Sequence, residues 1–525
     1  MREQDRWLRS AGAMAGITFL SRITGYARDC LQGFLLGAGT GSDAFVIAFR
    51  IPNLFRRLVG EGEMTAAFVP VFTRYLHGKD RKEVWRFAGL TFFSLALILA
   101  LLVMAGLIFS PLLVKLLAYG FQSDPEKWNL TVSLNRLMFP YLFFIGLAAL
   151  LMAILNSLGS FALPAVSPIL LNLSIIACAL GLGGLFRQPA YGFAVGVLVG
   201  GSLQLFYQIP FLIRRGMKFI PRIDFRHPGV RRVASLMLPG IFGAGITQLN
   251  IVIDSQFASW LTEGSVSYLY YSIRVTELVM GVFAISVSTV ILPRLSAQAA
   301  RGETHQVRET LSQALRLIGF ITLPASLGLI LLRTEIITVL FQRGRFDAED
   351  TAQTAYSLLF YAMGLFFFAG VRILAPSFYA YQDTLTPVKI GAVVFLFHIV
   401  MNFLLMGPLR HAGMALSTSL SAALNVALLL WIFHRRRVAL DLRAIGGSLA
   451  RVVLATAGMG ILTMAMLAKW PAPDIDSLWP KFMHLVVLIG FSLAAYFGLA
   501  ALLRCREIRE IAASFARDRA PGKSS

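Results

Sequence analysis

Ten ionisable side chains stand in stretches otherwise apolar enough for the interior of a bilayer: Arg22, Arg28, Asp29, Asp43, Arg50, Arg56, Arg57, Glu61, Arg274 and Glu277. An arginine or aspartate at the centre of a spanning helix costs about 2.5–3.5 kcal/mol, so four or five facing lipid would cost on the order of 10–17 kcal/mol. They must face one another or a wet cavity. Six of the ten are arginines and four are carboxylates, and surplus positive charge in a low-dielectric cavity is costly unless an anion visits it. Guanidinium holds phosphate bidentately, so the chemistry these residues suit is the binding of a phosphate or pyrophosphate.

Helical spacing refines this. Arg22 and Asp29 are seven residues apart and share a face, with Gly25 between them to permit close approach or bending. Asp43, Arg50 and Arg57 repeat every seven, again as one stripe. Arg56 points elsewhere on an ideal helix, but Pro52 can shift the register, so spacing leaves open which of Arg56 and Arg57 faces a cavity. Arg274 and Glu277 are i,i+3 neighbours able to pair. Salt bridges holding the protein together are the competing reading, stronger for the carboxylates than for the arginines.

The elements carrying these residues must be membrane helices. The chain has 525 residues, 57% apolar and 14% charged, with a mean hydropathy of +0.70. Apolar runs long enough to span a bilayer recur along it, and lipid leaves the backbone no water to bond, so they must be helical. The expected fold class is an all-α polytopic membrane protein with about 14 transmembrane helices. Clear spans start near Phe87, Phe139, Ala165, Gly192, Ala234, Ser312, Tyr356, Pro387, Met414, Ala450 and Leu485; the weaker ones, around Arg22, Phe45 and Val275, hold the charges. The first apolar stretch is interrupted by Arg22 and reads as a retained helix, not a secretory signal.

The net charge of +21 sits mainly in alternate loops, such as 74–86, 214–232, 294–316 and 435–443. Over 14 spans about 29 Lys/Arg fall on one side and about 8 on the other, which predicts cytoplasmic termini. Nucleic acid is excluded as a partner because the charges flank spans and form no domain of their own. Cys30, Cys178 and Cys505 have neither disulfide nor metal-ligand spacing, and no nucleotide-binding or hydrolase motif is present. The sequence therefore predicts no enzyme and no ATP-driven pump.

The chain also repeats itself. Residues 41–45 echo 264–268, 67–70 echo 290–293, and 155–164 echo 378–387, all at an offset of 223; 191–215 then echo 412–436 at 221. Six spans are thus expected twice, as an N-lobe over 1–218 and a C-lobe over 219–440, two pseudo-symmetric six-helix lobes. Two C-terminal helices over 441–505 and a cytoplasmic tail over 506–525 complete the chain. An even number of spans per unit gives parallel halves, an arrangement that usually encloses a central site.

The residues Ser21 to Asp29 (SRITGYARD) resemble the S-R-x-x-G-x-x-R-D signature of the MurJ (MviN) lipid II flippases, of the multidrug/oligosaccharidyl-lipid/polysaccharide exporter superfamily. Asp43–Phe45 with Pro52–Arg57, Glu61 and Gly62 is similar to that family's second helix, Tyr270–Glu277 to its eighth, and Ala375–Lys389 to its tenth-to-eleventh connection. The resemblance covers essentially the whole chain. It implies two lobes forming a V around a cationic cavity, helices 13–14 as a groove for a lipid tail, and lipid II as substrate. It places substrate-binding arginines at Arg22, Arg28, Arg56 and Arg274. Asp29, Asp43, Glu61 and Glu277 would line the cavity or its gate, with Asp29 pairing with Arg28 and Arg274.

Some members of that family hold a sodium ion in the second lobe, and Asp254, His398, Asn402 and Thr418 occupy the corresponding positions. His398 departs from the pattern, since imidazole is a poor ligand for a hard cation. Sodium, a proton-linked Asp254–His398 pair, and a buried polar contact without an ion all stay open. The expected process is alternating access in a bacterial cytoplasmic (inner) membrane, aided by membrane potential and needing no cofactor beyond possible Na+ or H+ coupling. Expected partners are lipid II, membrane lipids and cell-wall synthases of the elongation or division machinery. Competing readings are a flippase for another polyprenyl-linked glycan, a multidrug exporter of the same superfamily, which should line its cavity with carboxylates, and a wall-machinery scaffold without transport.

Overall fold

The computed structural model describes the backbone of residues 2–59, 63–473, 477–508 and 510, and the side chains of residues 16–57, 64–241, 245, 248–281, 291–473, 477–508 and 510. The regular structure there is helical, as backbone groups in lipid require. In chain order the helices are α1 (Arg2–Leu36), α2 (Thr40–Val59), α3 (Glu63–Gly78), α4 (Arg81–Ile108), α5 (Ser110–Leu117), α6 (Pro125–Met138), α7 (Tyr141–Ser157), α8 (Ala162–Leu182), α9 (Ala190–Phe206) and α10 (Ile209–Arg214). They continue with α11 (Pro228–Ser259), α12 (Ser265–Ala300), α13 (Thr304–Leu331), α14 (Arg333–Phe341), α15 (Ala348–Met363), α16 (Leu365–Ala380), α17 (Leu385–Arg436), α18 (Leu442–Lys469) and α19 (Leu478–Leu502).

Among the described residues, eight helical stretches are long and apolar enough to cross a bilayer, and the pair α15–α16, bent by 42°, makes a ninth. The longest, α17, is broken at Arg410 (φ 51°, ψ −134°) and so contains two helices. The rest of the expected count of about 14 spans would have to come from α1, α2, α3, α11 and α12. Charges lower the hydropathy of α1 and α2, and part of the α11 and α12 side chains lies outside the described residues.

The sequence repeat reappears in where helices begin. Arg81 and Thr304, Ser110 and Arg333, Pro125 and Ala348, and Ala162 and Leu385 all open helices and are 223 positions apart. Ala190 opens α9, and His411, just past the break in α17, stands 221 positions later. Even the turn geometry recurs: Gly159 has φ 75° and Gln382, 223 later, φ 59°.

Packing divides the chain into one unit of Met1–Ser267 with Arg343–Phe346 and a second of Tyr268–Gln342 with Asp347–Ser525. The repeat boundary at 218 and this packing boundary differ because α11 packs on α2, α3 and α5 of the first unit. In the first unit α9 lies against α8 along Gly192, Gly196 and Gly200, one turn apart. A Cβ at Gly196 would fall 2.5 Å from the Ile175 Cα, and one at Gly200 3.0 Å from the Leu171 Cα. Small residues at this spacing let membrane helices gain close dispersion contact where no hydrophobic effect drives them together. The segment 343–346 is held by Arg345, whose N–H donates to the Phe34 carbonyl at 2.9 Å.

In the second unit α18 and α19 close on α13 around Phe320, Val452, Ala455, Met459, Tyr496 and Ala500. The Tyr496 hydroxyl donates to the Phe320 carbonyl at 2.7 Å, satisfying a polar tip inside that core.

Candidate functional site

The first unit positions its charges on α1 and α2. Arg28 and Asp29 are 8% and 3% exposed, and the guanidinium meets Asp29 Oδ1 through Nη2 at 2.6 Å and Nε at 3.0 Å. Arg28 Nη1 also donates to Asn172 Oδ1 on α8 at 3.2 Å. Asn172 in turn donates to the Ser21 carbonyl at 3.3 Å. Gly25 makes this possible: a Cβ there would sit 3.3 Å from Asn172 Nδ2. Arg22 is exposed and, among the described residues, has no hydrogen-bond or ion-pair partner. The two signature arginines therefore differ: Arg28 is built into the helix packing, while Arg22 is presented.

Asp43 does something the spacing did not reveal. At 1% exposure, its carboxylate accepts from Lys127 Nζ at 2.6 Å, from the Gly264 N–H at 2.9 Å, and from the Ser267 N–H and hydroxyl at 2.9 and 2.6 Å. It therefore caps the start of α12, where N–H groups lack intrahelical acceptors. The reverse cap also exists: Glu263 Oε1 accepts from the N–H and hydroxyl of Thr40, at the start of α2, at 2.6 and 2.7 Å. Two repeat-related helix starts thus cap each other. Lys127 further lies 4.3 Å from the Phe121 ring centroid.

Farther along α2, Arg50 donates to Ser255 Oγ at 2.8 Å and Arg56 to Asn53 Oδ1 at 2.9 Å. Arg57 is exposed and reaches Gln248 Oε1 at 3.4 Å. Glu61 lies outside the described residues. In the second unit Arg274 and Glu277 form the pair their spacing predicts, at 3.0 Å, with Arg274 5.1 Å from the Tyr270 ring centroid.

Asp254 is half-buried on α11 of the first unit. In the second unit, Asn402 Nδ2 donates to His398 Nε2 at 3.2 Å, and His398 Nδ1 meets the hydroxyls of Ser417 and Ser421 at 3.1 and 3.2 Å. The Thr418 hydroxyl donates to the Met414 carbonyl one turn back, at 2.9 Å. A hard alkali cation wants oxygen ligands. Both nitrogens of the His398 imidazole are engaged within this cluster. No group of three or more His, Cys, Asp or Glu among the described residues could hold a metal ion.

Lys127, Asn172, Glu263 and Thr40 make site contacts that the spacing of charges along the sequence does not single out. Asn172 left a signal, an amide alone inside the apolar run 168–182 of α8; the others lie at helix starts and in loops where polar residues are ordinary.

A many-spanning helical chain, built as a repeat and carrying arginines on its early helices, defines a polytopic membrane transporter. Comparison with known proteins names the family. The profile of the lipid II flippase MurJ family matches residues 34–478, and the chain belongs to that family, one of transporters and not of enzymes. It is 37% identical over 511 residues to the probable lipid II flippase MurJ of Vibrio cholerae, covering 95% of this chain and 97% of that protein. It resembles a solved lipid II flippase MurJ in an inward closed conformation, with a TM-score of 0.78 and 27% identity over 93% of this chain and 98% of the other. An inward-facing multidrug transporter of the MATE family shares the fold, with a TM-score of 0.62 at 14% identity over 80% of this chain and 97% of that one.

Proposed function

We propose that this protein flips lipid II, an undecaprenyl-pyrophosphate-linked disaccharide-pentapeptide, from the inner to the outer leaflet of a bacterial cytoplasmic membrane by alternating access. Family membership supports the substrate. The observation that carries the mechanism is the presented guanidinium of Arg22, one helical face from the anchored Arg28–Asp29–Asn172 cluster. Arg22, Arg28, Arg56 and Arg274 take the pyrophosphate, with Asp29, Asp43, Glu61 and Glu277 setting their geometry and the gate. The polyprenyl chain stays in the bilayer beside α18 and α19, within the lipid-tail segment 441–505.

The lobes 1–218 and 219–440 are the moving bodies, and both termini are cytoplasmic. The reciprocal caps of Asp43 on α12 and Glu263 on α2 hold the outer ends of these helices, and outward opening requires their release. Membrane potential, negative inside, favours outward passage of an anion by about 2.3 kcal/mol per charge per 100 mV. Cell-wall synthases consume the product.

The test is replacement of the resident flippase in a depleted strain. Wild type should restore growth, and Arg22→Ala and Arg274→Ala should not, despite normal membrane levels. Arg→Lys variants should restore it in part, because an ammonium cannot reproduce bidentate geometry. Normal growth with all of the alanine variants at native expression would overturn the arginine assignment.

A further inference from the structure

In the second unit a cavity of about 290 Å3 lies between the start of α15 and the break in α17, lined by Gln353 and Tyr356 on one side and residues 408–411 on the other. Arg410, exposed at its edge, adopts φ 51° and ψ −134°. That backbone region suits glycine, and a side-chain-bearing residue stays there only where its surroundings hold it.

The next residue, His411, is 2% exposed. Its Nε2–H donates to the Gln353 carbonyl at 3.1 Å, whereas its Nδ1 has no partner among the described residues. The ring packs against Tyr268, at 5.1 Å between centroids, and Tyr356, at 6.3 Å. The carboxylates on the neighbouring helix are engaged elsewhere: Asp350 accepts from the Tyr268 hydroxyl at 3.2 Å and Glu349 from Gln353 Nε2 at 2.7 Å. Arg410 is thus the charged side chain that lines the cavity. At the 221 offset the first repeat has Pro189 and Ala190 in place of Arg410 and His411, so the pair is particular to the second half and no by-product of the repeat.

We propose that this cavity binds a phosphate group, paired with Arg410, and that His411 takes up a proton at Nδ1 as the group enters. The guanidinium offers two parallel N–H donors to two phosphate oxygens. The new Nδ1–H donates to a third, ending the isolation of a buried nitrogen, while Nε2–H stays on the Gln353 carbonyl. The proton comes from solvent and no other bond changes. A phospholipid headgroup and free phosphate offer the same chemistry. The cavity would open on the outer face under the topology proposed above, but its binding chemistry does not depend on the transport reading.

The test uses the full-length protein in dodecyl maltoside micelles, which carry no phosphate, with ring-13C-labelled histidine, the His411 signal being the one lost in His411→Gln. Its titration is followed at constant ionic strength with chloride alone, with inorganic phosphate, and in micelles containing phosphatidylglycerol without free phosphate. A phosphate group should raise the His411 midpoint by about one pH unit, a tenfold gain in proton affinity. A rise with inorganic phosphate identifies a free-anion site, and a rise only with phosphatidylglycerol identifies a headgroup site. Arg410→Gly, which relieves the backbone and so should fold, should abolish the rise. An unmoved midpoint in both arms, or the same rise in Arg410→Gly, overturns the proposal.

Discussion

At the scale of single residues, the two signature arginines should fail in different ways. Arg28→Ala would take the guanidinium from the buried Asp29 carboxylate and break the link to Asn172, a loss of about 3–5 kcal/mol, seen as a lower melting temperature along with lost activity. Arg22→Ala removes an exposed group and should change stability by no more than about 0.5 kcal/mol, yet abolish complementation. Asp43→Ala should resemble Arg28→Ala, because Lys127 would stay buried without its carboxylate. Thermal unfolding in micelles, beside growth of the depleted strain, separates these cases; equal melting loss in Arg22→Ala and Arg28→Ala would contradict the distinction. Arg274–Glu277 was legible because both partners lie one turn apart. Lys127 was not, because its partner is 84 residues away and pairing across such a distance leaves no periodic trace.

At the scale of elements, the repeat governs helix starts and turns. Gly159 has φ 75° with nothing within 4 Å of its Cβ position, so Gly159→Gln should cost only the left-handed backbone, about 1–2 kcal/mol. Gln382→Gly at the matching turn should leave the melting temperature unchanged or raise it. The same turn predicts a pH effect. Asp383 is held below its ordinary 3.8 first by the hydrogen bond from Arg437, against an opposing effect of burial, with Thr386 adding to the lowering. A depressed folded-state value means this stabilisation is complete above the ordinary carboxylate value and is lost as pH falls through the folded one. Asp383→Asn should therefore flatten the acid side of a melting-temperature profile between about pH 5 and 3, and an unchanged profile would assign no role to the pair. Helix starts were readable because Gly/Pro punctuation survives in both halves. The mutual capping of α2 and α12 was not, since Glu263 and Thr40 sit in polar loop sequence where neither stands out.

At the scale of the molecule, topology and direction of transport go together. A cysteine at exposed Arg222 should resist a membrane-impermeant thiol reagent in intact cells, and one at exposed Gln122 should react; the reverse pattern would invert the orientation. The polytopic all-α class was fixed by composition alone. The packing of α11 with the first unit was not foreseen, because a repeat records symmetry and carries no information on which neighbour a helix chooses. Outward carriage of lipid II, as proposed above, is tested by depleting the chain in its host and measuring lipid II in each leaflet with an impermeant enzyme that cleaves only the outward-facing head group. Lipid II is expected to accumulate in protected form while the cleavable fraction collapses. An undiminished cleavable fraction after depletion, in a strain with no second flippase, would contradict it.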